Sequence, residues 1–155
     1  MTAAKANITI APGDPRSAEA VALLTASHTL MRSACPPESN HFLSIDQLTA
    51  ANIRFYLARV GEEAFGCAAL AVRDEYGELK SMYVAEAARG LGIAQALLDQ
   101  IEATARAEDL SLLRLETGST LHAAQRFYER AGYTRRGPFG DYSDDPLSVF
   151  MERAL

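Results

Sequence analysis

The sequence predicts one domain of mixed α/β fold, and three observations support this prediction. The chain has 155 residues, a length that suits a single domain with its own hydrophobic core. Three apolar segments separated by short turns predict an antiparallel meander of strands, Ile53–Val60, Phe65–Arg73 and Glu78–Val84. An amphipathic helix from about Gly90 to Ala107 follows the meander directly. Because we find no repeat or linker, we expect residues 1–155 to fold as one domain.

The residues before the meander predict a strand, a helix and a loop. Asn7–Ala11 is a strand candidate. Asp14 and Pro15 are the residue types preferred at a helix N-cap and at the first helical position, so we expect a helix from there to about Ser33. The two prolines and the Ser-Asn pair within Cys35–His41 disfavour a helix and predict a loop.

A second helix and the C-terminal elements complete the predicted order. Ser44 and Gln47 have the spacing of a capping box, which predicts a short helix. Leu112–Glu116 predicts a strand, and Leu121–Ala131 predicts a helix that ends at Gly132. The final strands are Tyr133–Arg135 and Leu147–Glu152, on either side of the loop Gly137–Pro146. The order therefore predicts six or seven strands and about four helices.

The composition argues against several classes of function. Apolar residues make up 48% of the chain and charged residues 23%, as in ordinary globular proteins, and no apolar run approaches the roughly 20 residues that span a bilayer. The net charge is −5 and the basic residues are spread along the chain. We therefore expect neither a nucleic-acid partner nor a membrane partner. Met1–Asn7 contains no apolar signal segment, which favours a cytoplasmic location.

The cysteines and histidines show no pattern typical of metal binding or of a nucleophilic pair. Cys35 and Cys67 form neither a CxxC pair nor a disulfide framework. The three histidines, His28, His41 and His122, lack the spacing of metal ligands, so no metal is predicted. We therefore expect a reaction without a covalent enzyme intermediate.

The segment Arg89–Ala94 (RGLGIA) is the strongest local signal, because it follows a predicted strand and opens a helix. Free backbone N–H groups at a helix start bind phosphate, and glycines let a ligand approach the backbone closely. The segment is not a Walker A loop, and Gln95 occupies the third small-residue position of a dinucleotide fingerprint. A pyrophosphate site and a purely structural turn both remain open on this segment alone.

Two motifs together resemble a known family. The pattern R-x-x-G-x-A after the strand ELKSMYV is similar to the acyl-CoA signature of the GCN5-related N-acetyltransferase (GNAT) superfamily. Ala123–Tyr133 (AAQRFYERAGY) resembles the second motif of that superfamily. The tail Gly137–Leu155, together with Leu115–Gly118 (LETG) and Pro36–Ser39 (PPES), resembles a bacterial acetyltransferase subgroup. Some members of that subgroup are labelled indole-acetic-acid acetyltransferases.

The resemblance implies a fold and an acetyl-CoA site. The fold would be a twisted, mostly antiparallel central sheet flanked by helices. The backbone of one strand end would pair with the pantetheine arm, at Met82, Tyr83 and Val84. The backbone N–H groups of the loop would hold the pyrophosphate, at Arg89, Gly90, Leu91, Gly92, Ile93 and Ala94. Tyr128 would hydrogen-bond the CoA sulfur and protonate it as it leaves. Many members have Asn near the position of Leu121, so no amide contact to the cofactor is expected there.

Several candidate roles stay open between a catalytic and a structural interpretation. Tyr128 borders the packed face of its helix and is equally suited to be a core aromatic residue. The resemblance places a general base at Glu78, and Glu116 at the end of the neighbouring strand is the second candidate. Either carboxylate would otherwise pair with Lys80 or Arg114.

The acceptor would lie between the first two helices and the C-terminal loop, according to the resemblance. The candidate lining residues there are His28, Glu38, Ser39, His41, Phe139, Asp141 and Tyr142. Acidic side chains among them, Glu38 and Asp141, would suit a cationic amine. The acceptor itself, a small-molecule or a peptide amine, is not specified, and O-acetylation stays open.

The sequence thus predicts an N-acetyltransferase that moves an acetyl group from acetyl-CoA to an amine by direct attack in a ternary complex. A backbone N–H near Tyr83 or Val84 would polarise the thioester oxygen. The alternatives are a non-catalytic CoA-binding module and a nucleotide-dependent oxidoreductase. The apolar faces of the last strand and helix are compatible with a homodimer.

Overall fold

The computed structural model describes residues 7–155, which form a seven-stranded sheet with three α-helices. The elements in chain order are β1 (Ile8–Pro12), α1 (Ala18–Ala34), β2 (Ile53–Val60), β3 (Glu63–Val72), β4 (Gly77–Val84), α2 (Ile93–Ala107), β5 (Leu112–Gly118), α3 (His122–Arg130), β6 (Thr134–Arg136) and β7 (Ser148–Ala154). Met1–Ala6, which carry most of the segment used to predict a cytoplasmic location, lie outside the described residues. No helix within residues 7–155 is both long and apolar enough to cross a membrane.

The sheet has the strand order β1-β2-β3-β4-β5-β7-β6. Its neighbouring strands pair antiparallel, except for the parallel pair β4–β5. The predicted meander β2–β4 is present, and the first of its strands has the predicted bounds, Ile53–Val60. The mixed α/β fold with a mostly antiparallel sheet is therefore confirmed.

The core lies on both faces of the sheet because β3 is buried on both sides. Ala68 and Leu70 belong to the cluster that α2 covers, and the alternate residues Cys67 and Ala69 belong to the cluster that α1 covers. Five apolar residues of α2 recur at helical spacing and are buried in that first cluster, namely Ile93, Leu97, Leu98, Ile101 and Ala105. Fixing α2 against the sheet places its N-terminus beside the end of β4.

Three predicted helix features are wrong in detail. The first helix begins at Ala18, because Ser17 is the N-cap and its Oγ accepts from the Ala20 N–H at 3.2 Å. Asp14 instead closes a turn, with Oδ1 accepting from the Arg16 N–H at 2.9 Å. The capping box of Ser44 and Gln47 forms both of its hydrogen bonds.

That capping box starts only one 3-10 turn, Gln47–Thr49, so residues 7–155 contain three α-helices rather than about four. The third difference is the start of α2 at Ile93 rather than Gly90. Gly92 has φ of 89°, and this left-handed conformation sets the start of the helix.

Candidate active site

A cleft opens where β4 and β5 separate. The two strands pair only at Gly77–Leu113 and Glu78–Arg114, and their remaining residues diverge. A bulge reshapes the wall of the cleft, because Ser81 and Met82 together lie opposite the single residue Ala68 of β3. Ser81 has φ of 57°, a conformation that non-glycine residues rarely adopt outside functional or strained sites. The divergence of the two strands and the bulge in β4 therefore form the cleft.

The cleft contains a cavity of about 680 Å³, within the usual range for small-molecule sites. The end of β4, the end of β5 and one side of α3, from His122 to Tyr128, line it. The C-terminal half of α1 and the loop after it close another side, with Met31, His41 and Phe42. Arg89 and Ala94 reach it from the start of α2. The hydroxyl of Ser81 in its wall is buried without a hydrogen-bond partner in the part of the chain described.

The start of α2 has the geometry of an anion site. Gly90 and Gly92 have φ of 85° and 89°, and an added Cβ at either would meet no described heavy atom within 4 Å. No side chain of the described residues caps this helix, so the first N–H groups of α2 are free of side-chain partners among them. Arg89 lies at the mouth, where its Nε donates to the Val84 carbonyl at 3.3 Å. The predicted phosphate loop therefore lies at the cavity.

Tyr128 of α3 lines the cavity and is also part of the core. It is 6% exposed, and its ring has edge contacts with those of Phe127 and Tyr133. Burial raises the pKa of the Tyr128 phenol, so the hydroxyl stays protonated and remains a hydrogen donor. Tyr128 is therefore a core aromatic residue that also lines the cavity.

The two candidate bases have different environments. Glu116 lies on β5 and lines the cavity, and burial raises its pKa from 4.5 to about 7. Among charged neighbours, Lys80 lowers the pKa of Glu116, whereas Glu78 and Asp145 raise it. A carboxyl group that titrates near neutral pH is suited to general base catalysis.

Glu78 is engaged at both carboxylate oxygens. Its Oε1 accepts from Arg73 Nη2 at 2.9 Å, and its Oε2 accepts from the Tyr142 hydroxyl at 2.5 Å. The ammonium of Lys80 lies 3.5 Å from the same Oε2. Glu78 is 2% exposed and does not line the cavity. The structure therefore gives Glu78 the paired environment that was its alternative interpretation.

Only some of the residues predicted to contact the acceptor line the cavity. His41 and Ser39 line the cavity. Ser39 Oγ also donates to Asp145 Oδ2 at 2.7 Å, which ties the loop after α1 to the segment between β6 and β7. The His28 ring stacks on Phe42 at 4.1 Å, so it lies behind the cavity wall, and its Nε2 is buried without a partner among the described residues.

The remaining predicted acceptor residues do not reach the cavity. Phe139 and Tyr142 belong to an aromatic cluster with Phe150, and this cluster supports the cleft from behind. Glu38 and Asp141 are exposed to solvent outside the cavity lining. Among the described residues, Glu116 is the acidic residue that lines the cavity.

Neither cysteine is an activated thiol. Cys35 lines the cavity, but burial and the nearby carboxylates Glu116 and Asp145 raise the pKa of its thiol. Burial raises the pKa of the Cys67 thiol to about 12. Within residues 7–155, no group of three or more His, Cys, Asp or Glu side chains is arranged to hold a metal ion.

Comparison with known protein families identifies the chain. The family model for the acetyltransferase (GNAT) family matches residues 20–133, well over half of the sequence. The chain belongs to the GNAT family of acetyltransferases. The matched region begins within α1 and ends just before β6, so it contains the cleft, the phosphate loop and Tyr128.

Relatives of this GNAT chain span almost its full length. A protein from Azospirillum brasilense named IAA acetyltransferase is 42% identical over 151 residues, which cover 96% of this chain and 99% of the relative. The crystal structure of a protein from Klebsiella pneumoniae, described as an acyl-CoA N-acyltransferase, is 35% identical with a TM-score of 0.81. That match covers 96% of this chain and 98% of the other.

A more distant solved structure shares the fold. The GNAT acetyltransferase from Elizabethkingia anophelis, which was crystallised with acetyl-CoA bound, is 24% identical with a TM-score of 0.70. The match covers 96% of this chain and 99% of that one. The predictions of GNAT membership and of an acyl-CoA-dependent N-acetyltransferase are confirmed. The alternatives, a non-catalytic CoA-binding module and a nucleotide-dependent oxidoreductase, are not favoured.

Sequence reasoning missed two features of this GNAT site. Phe42 and Met31 line the cavity, but their segments gave no chemical signal. Lys80 was considered only as an ion-pair partner, whereas its ammonium also donates to the His41 carbonyl and the Tyr142 hydroxyl, both at 2.8 Å. Glu78 and Lys80 are two residues apart on a strand and so lie on the same face, and this spacing could have predicted the network.

Proposed function

We propose that the cleft between β4 and β5 binds acetyl-CoA and transfers its acetyl group to an amine through Glu116 and Tyr128. The observation that supports this most strongly is the divergence of the two strands after the Glu78–Arg114 pair. This divergence leaves strand backbone exposed along a cavity that joins the free N–H groups of α2 to the side chains of Glu116 and Tyr128.

The residues present fit acetyl-CoA as the acetyl donor. The pyrophosphate would accept hydrogen bonds from the loop Arg89–Ala94, where the glycines leave space for a ligand. The pantetheine arm would lie along Met82–Val84, and the unpartnered hydroxyl of Ser81 would gain a partner there. A backbone N–H near Tyr83 or Val84 would polarise the thioester carbonyl.

Of the two carboxylates, Glu116 is the better general base. It faces the cavity and titrates near pH 7, whereas both oxygens of Glu78 are occupied by Arg73 and Tyr142. In the reaction, Glu116 takes a proton from the ammonium form of the acceptor, directly or through water. The neutral nitrogen then forms a bond to the acetyl carbon, the carbon–sulfur bond breaks as CoA leaves as a thiolate, and the nitrogen loses its second proton.

Tyr128 completes the transfer by donating its hydroxyl proton to the departing CoA sulfur. Since burial raises the phenol pKa, the Tyr128 hydroxyl is protonated at neutral pH, and its proton passes to sulfur only as the thiolate forms. The departing CoA thiolate, whose conjugate acid has a pKa of about 8.5, accepts this proton, and the second proton lost by the nitrogen restores the Tyr128 phenol. His41 and Ser39 are proposed to line the acceptor side, with Phe42 and Met31 as apolar neighbours.

The acceptor is proposed to be an amine of a small molecule or peptide. Because the Azospirillum brasilense relative is named IAA acetyltransferase, IAA belongs in the acceptor screen beside primary amines. A homodimer and a cytoplasmic location stay predictions.

Thermal unfolding with separate additions of acetyl-CoA, CoA and NADH tests the proposal. A ligand at about 100 times its dissociation constant stabilises by roughly 2.7 kcal/mol, which raises the melting temperature by several degrees. We expect this shift with acetyl-CoA and CoA and no shift with NADH. Absence of a shift with either CoA compound would contradict the cofactor site. A shift would be followed by an acceptor screen that detects the released thiol.

A further inference from the structure

Lys80 and Glu116 occupy equivalent positions on the two walls of the cleft. The last pair of the parallel ladder is Glu78 of β4 with Arg114 of β5. Two residues further along each strand are Lys80 and Glu116, and side chains two apart on a strand point to the same face. Both residues line the cavity. Beyond the last paired residues, the two neighbouring strands therefore carry an ammonium and a carboxylate on the same face, and both groups line the one cavity.

The ammonium of Lys80 is held rigidly. Its side chain is 9% exposed, and it donates to the His41 carbonyl and the Tyr142 hydroxyl, both at 2.8 Å. Most lysine ammonium groups extend into solvent, because burying one unpaired is costly. Lys80 is also the one lysine of residues 7–155, since the other lysine is Lys5. The fold therefore holds the positive charge of Lys80 at one position in the cavity wall.

The other ionisable groups around Glu116 are mostly acidic. From β4, Glu78 lies beside Lys80. The segment between β6 and β7 contributes Asp145 and Tyr142, the end of α1 contributes Cys35, and the loop before β2 contributes His41. From α3, His122 lines the same cavity. Glu78 and Asp145 disfavour a charged Glu116, and Lys80 is the cation that opposes them.

We propose that Lys80 is a positioning residue for the general base: held by His41 and Tyr142, its ammonium favours the carboxylate form of Glu116 that accepts the proton. This inference rests on the proposed role of Glu116. Lys80 touches neither acetyl-CoA nor the acceptor in this account. Its partner Glu78 balances the same charge from behind and acts on Glu116 in the opposite direction.

The test is a titration of Glu116 itself, by NMR of the full chain with ¹³C-labelled glutamate carboxyl groups. Glu116→Gln assigns the signal. In Lys80→Met the titration midpoint of Glu116 should rise by about one pH unit or more, because a nearby opposite charge is lost. In Glu78→Gln it should fall, because a like charge is lost and Lys80 is freed. Lys80→Arg keeps the charge and should restore most of the wild-type midpoint.

Opposite shifts in Lys80→Met and Glu78→Gln would support the inference, since loss of packing alone does not give two signs. An unchanged midpoint in Lys80→Met would overturn it. If Lys80→Met fails to fold, Tyr142→Phe takes its place, and a rise smaller than about one unit is expected because Lys80 loses one of its two hydrogen-bond acceptors. An unchanged midpoint in that variant would overturn the inference.

Activity measurements distinguish a wrong general-base assignment for Glu116 from a wrong positioning role for Lys80. If Glu116→Gln retains full acetyl transfer while Lys80→Met shifts the titration, the general-base assignment is wrong and the positioning role falls with it. If Glu116→Gln abolishes transfer and Lys80→Met leaves the midpoint unmoved, the positioning role alone is overturned.

Discussion

The hydroxyl of Tyr142 donates a hydrogen bond of 2.5 Å to Oε2 of Glu78, a residue 64 positions earlier in the chain. The contact fastens the segment between β6 and β7 to the strand that forms one wall of the cleft. Glu78 is buried and Tyr142 is half-buried, so the hydrogen bond is partly shielded from water. The hydrogen bond therefore joins the loop between β6 and β7 to β4, the strand that carries Lys80.

Replacing Tyr142 with Phe should destabilise the fold. The change removes the donor to Glu78 and the acceptor for Lys80, and charged groups left without a buried partner cost about 1–3 kcal/mol. Tyr76→Phe is the matched control, since Tyr76 packs on Phe139 in the same aromatic region. Urea unfolding of both variants measures the difference. Equal free energies of unfolding would show that the hydrogen bond contributes nothing.

Tyr128→Phe should lower kcat by about 10²-fold and change the KM for acetyl-CoA much less. General acid catalysis contributes roughly 10²–10⁴-fold, and the Phe ring preserves the packing of α3. Tyr133→Phe is a suitable control, because Tyr133 contacts the Tyr128 ring but donates its hydrogen bond to Glu102, in the core. Steady-state kinetics with thiol detection compares them. Unchanged turnover in Tyr128→Phe would remove it from the mechanism.

Glu116→Gln should abolish the rise of kcat/KM with pH that is expected near pH 7. The wild-type base is active when deprotonated, so the rate increases as pH passes the Glu116 pKa of about 7. Glu78→Gln is the comparison: the limb should remain, but at lower pH, because a like charge that raises the Glu116 pKa is lost. A profile that Glu116→Gln leaves unmoved would exclude this residue as the base.

Glu116→Gln should also stabilise the folded protein as the pH rises. Because the folded protein holds the Glu116 proton from pH 4.5 up to about 7, its contribution to stability is lost as pH rises through that window. Glu116→Gln should therefore gain stability relative to the wild type between pH 5 and pH 8, by at most about 3 kcal/mol. Melting temperatures across this range measure the gain.

Gly92→Ala should weaken acetyl-CoA binding more than a comparable glycine change elsewhere. Gly92 and Gly61 both have positive φ and open space around an added Cβ, so either change to Ala costs about 1–2 kcal/mol of backbone strain. Gly61 lies in the turn between β2 and β3, whereas Gly92 lies at the proposed pyrophosphate site. Calorimetric titration should show at least a tenfold loss for Gly92→Ala alone. Equal affinities would contradict the phosphate site.

Much of the fold was predictable because local patterns determine it. The meander, α2 and the final strands follow from apolar periodicity and turn residues. The start of α1 was not predicted correctly: Asp14 and Ser17 are both residue types that cap helices, and Asp14 closes a turn while Ser17 caps α1. The capping box at Ser44 formed, yet the helix after it stops at one turn. The one-domain prediction for residues 1–155 stays a prediction.

Only those residues of the candidate site that belong to a sequence motif could be predicted. The loop Arg89–Ala94 and Tyr128 lie at the cavity as the motifs implied. The difference between Glu78 and Glu116 depends on partners far away in the chain, Tyr142 and Asp145, which no local pattern connects. Burial and long-range pairing, rather than residue type, therefore decide which carboxylate is suited to be the base.

A crystal structure with acetyl-CoA bound tests the central claim most directly. We predict the pyrophosphate within hydrogen-bond distance, about 3 Å, of backbone N–H groups between Gly90 and Ala94, and the sulfur beside the Tyr128 hydroxyl. The acetyl carbon should face the Glu116 side of the cleft. Acetyl-CoA bound elsewhere, or with its acetyl group turned away from Glu116 and Tyr128, would contradict the account.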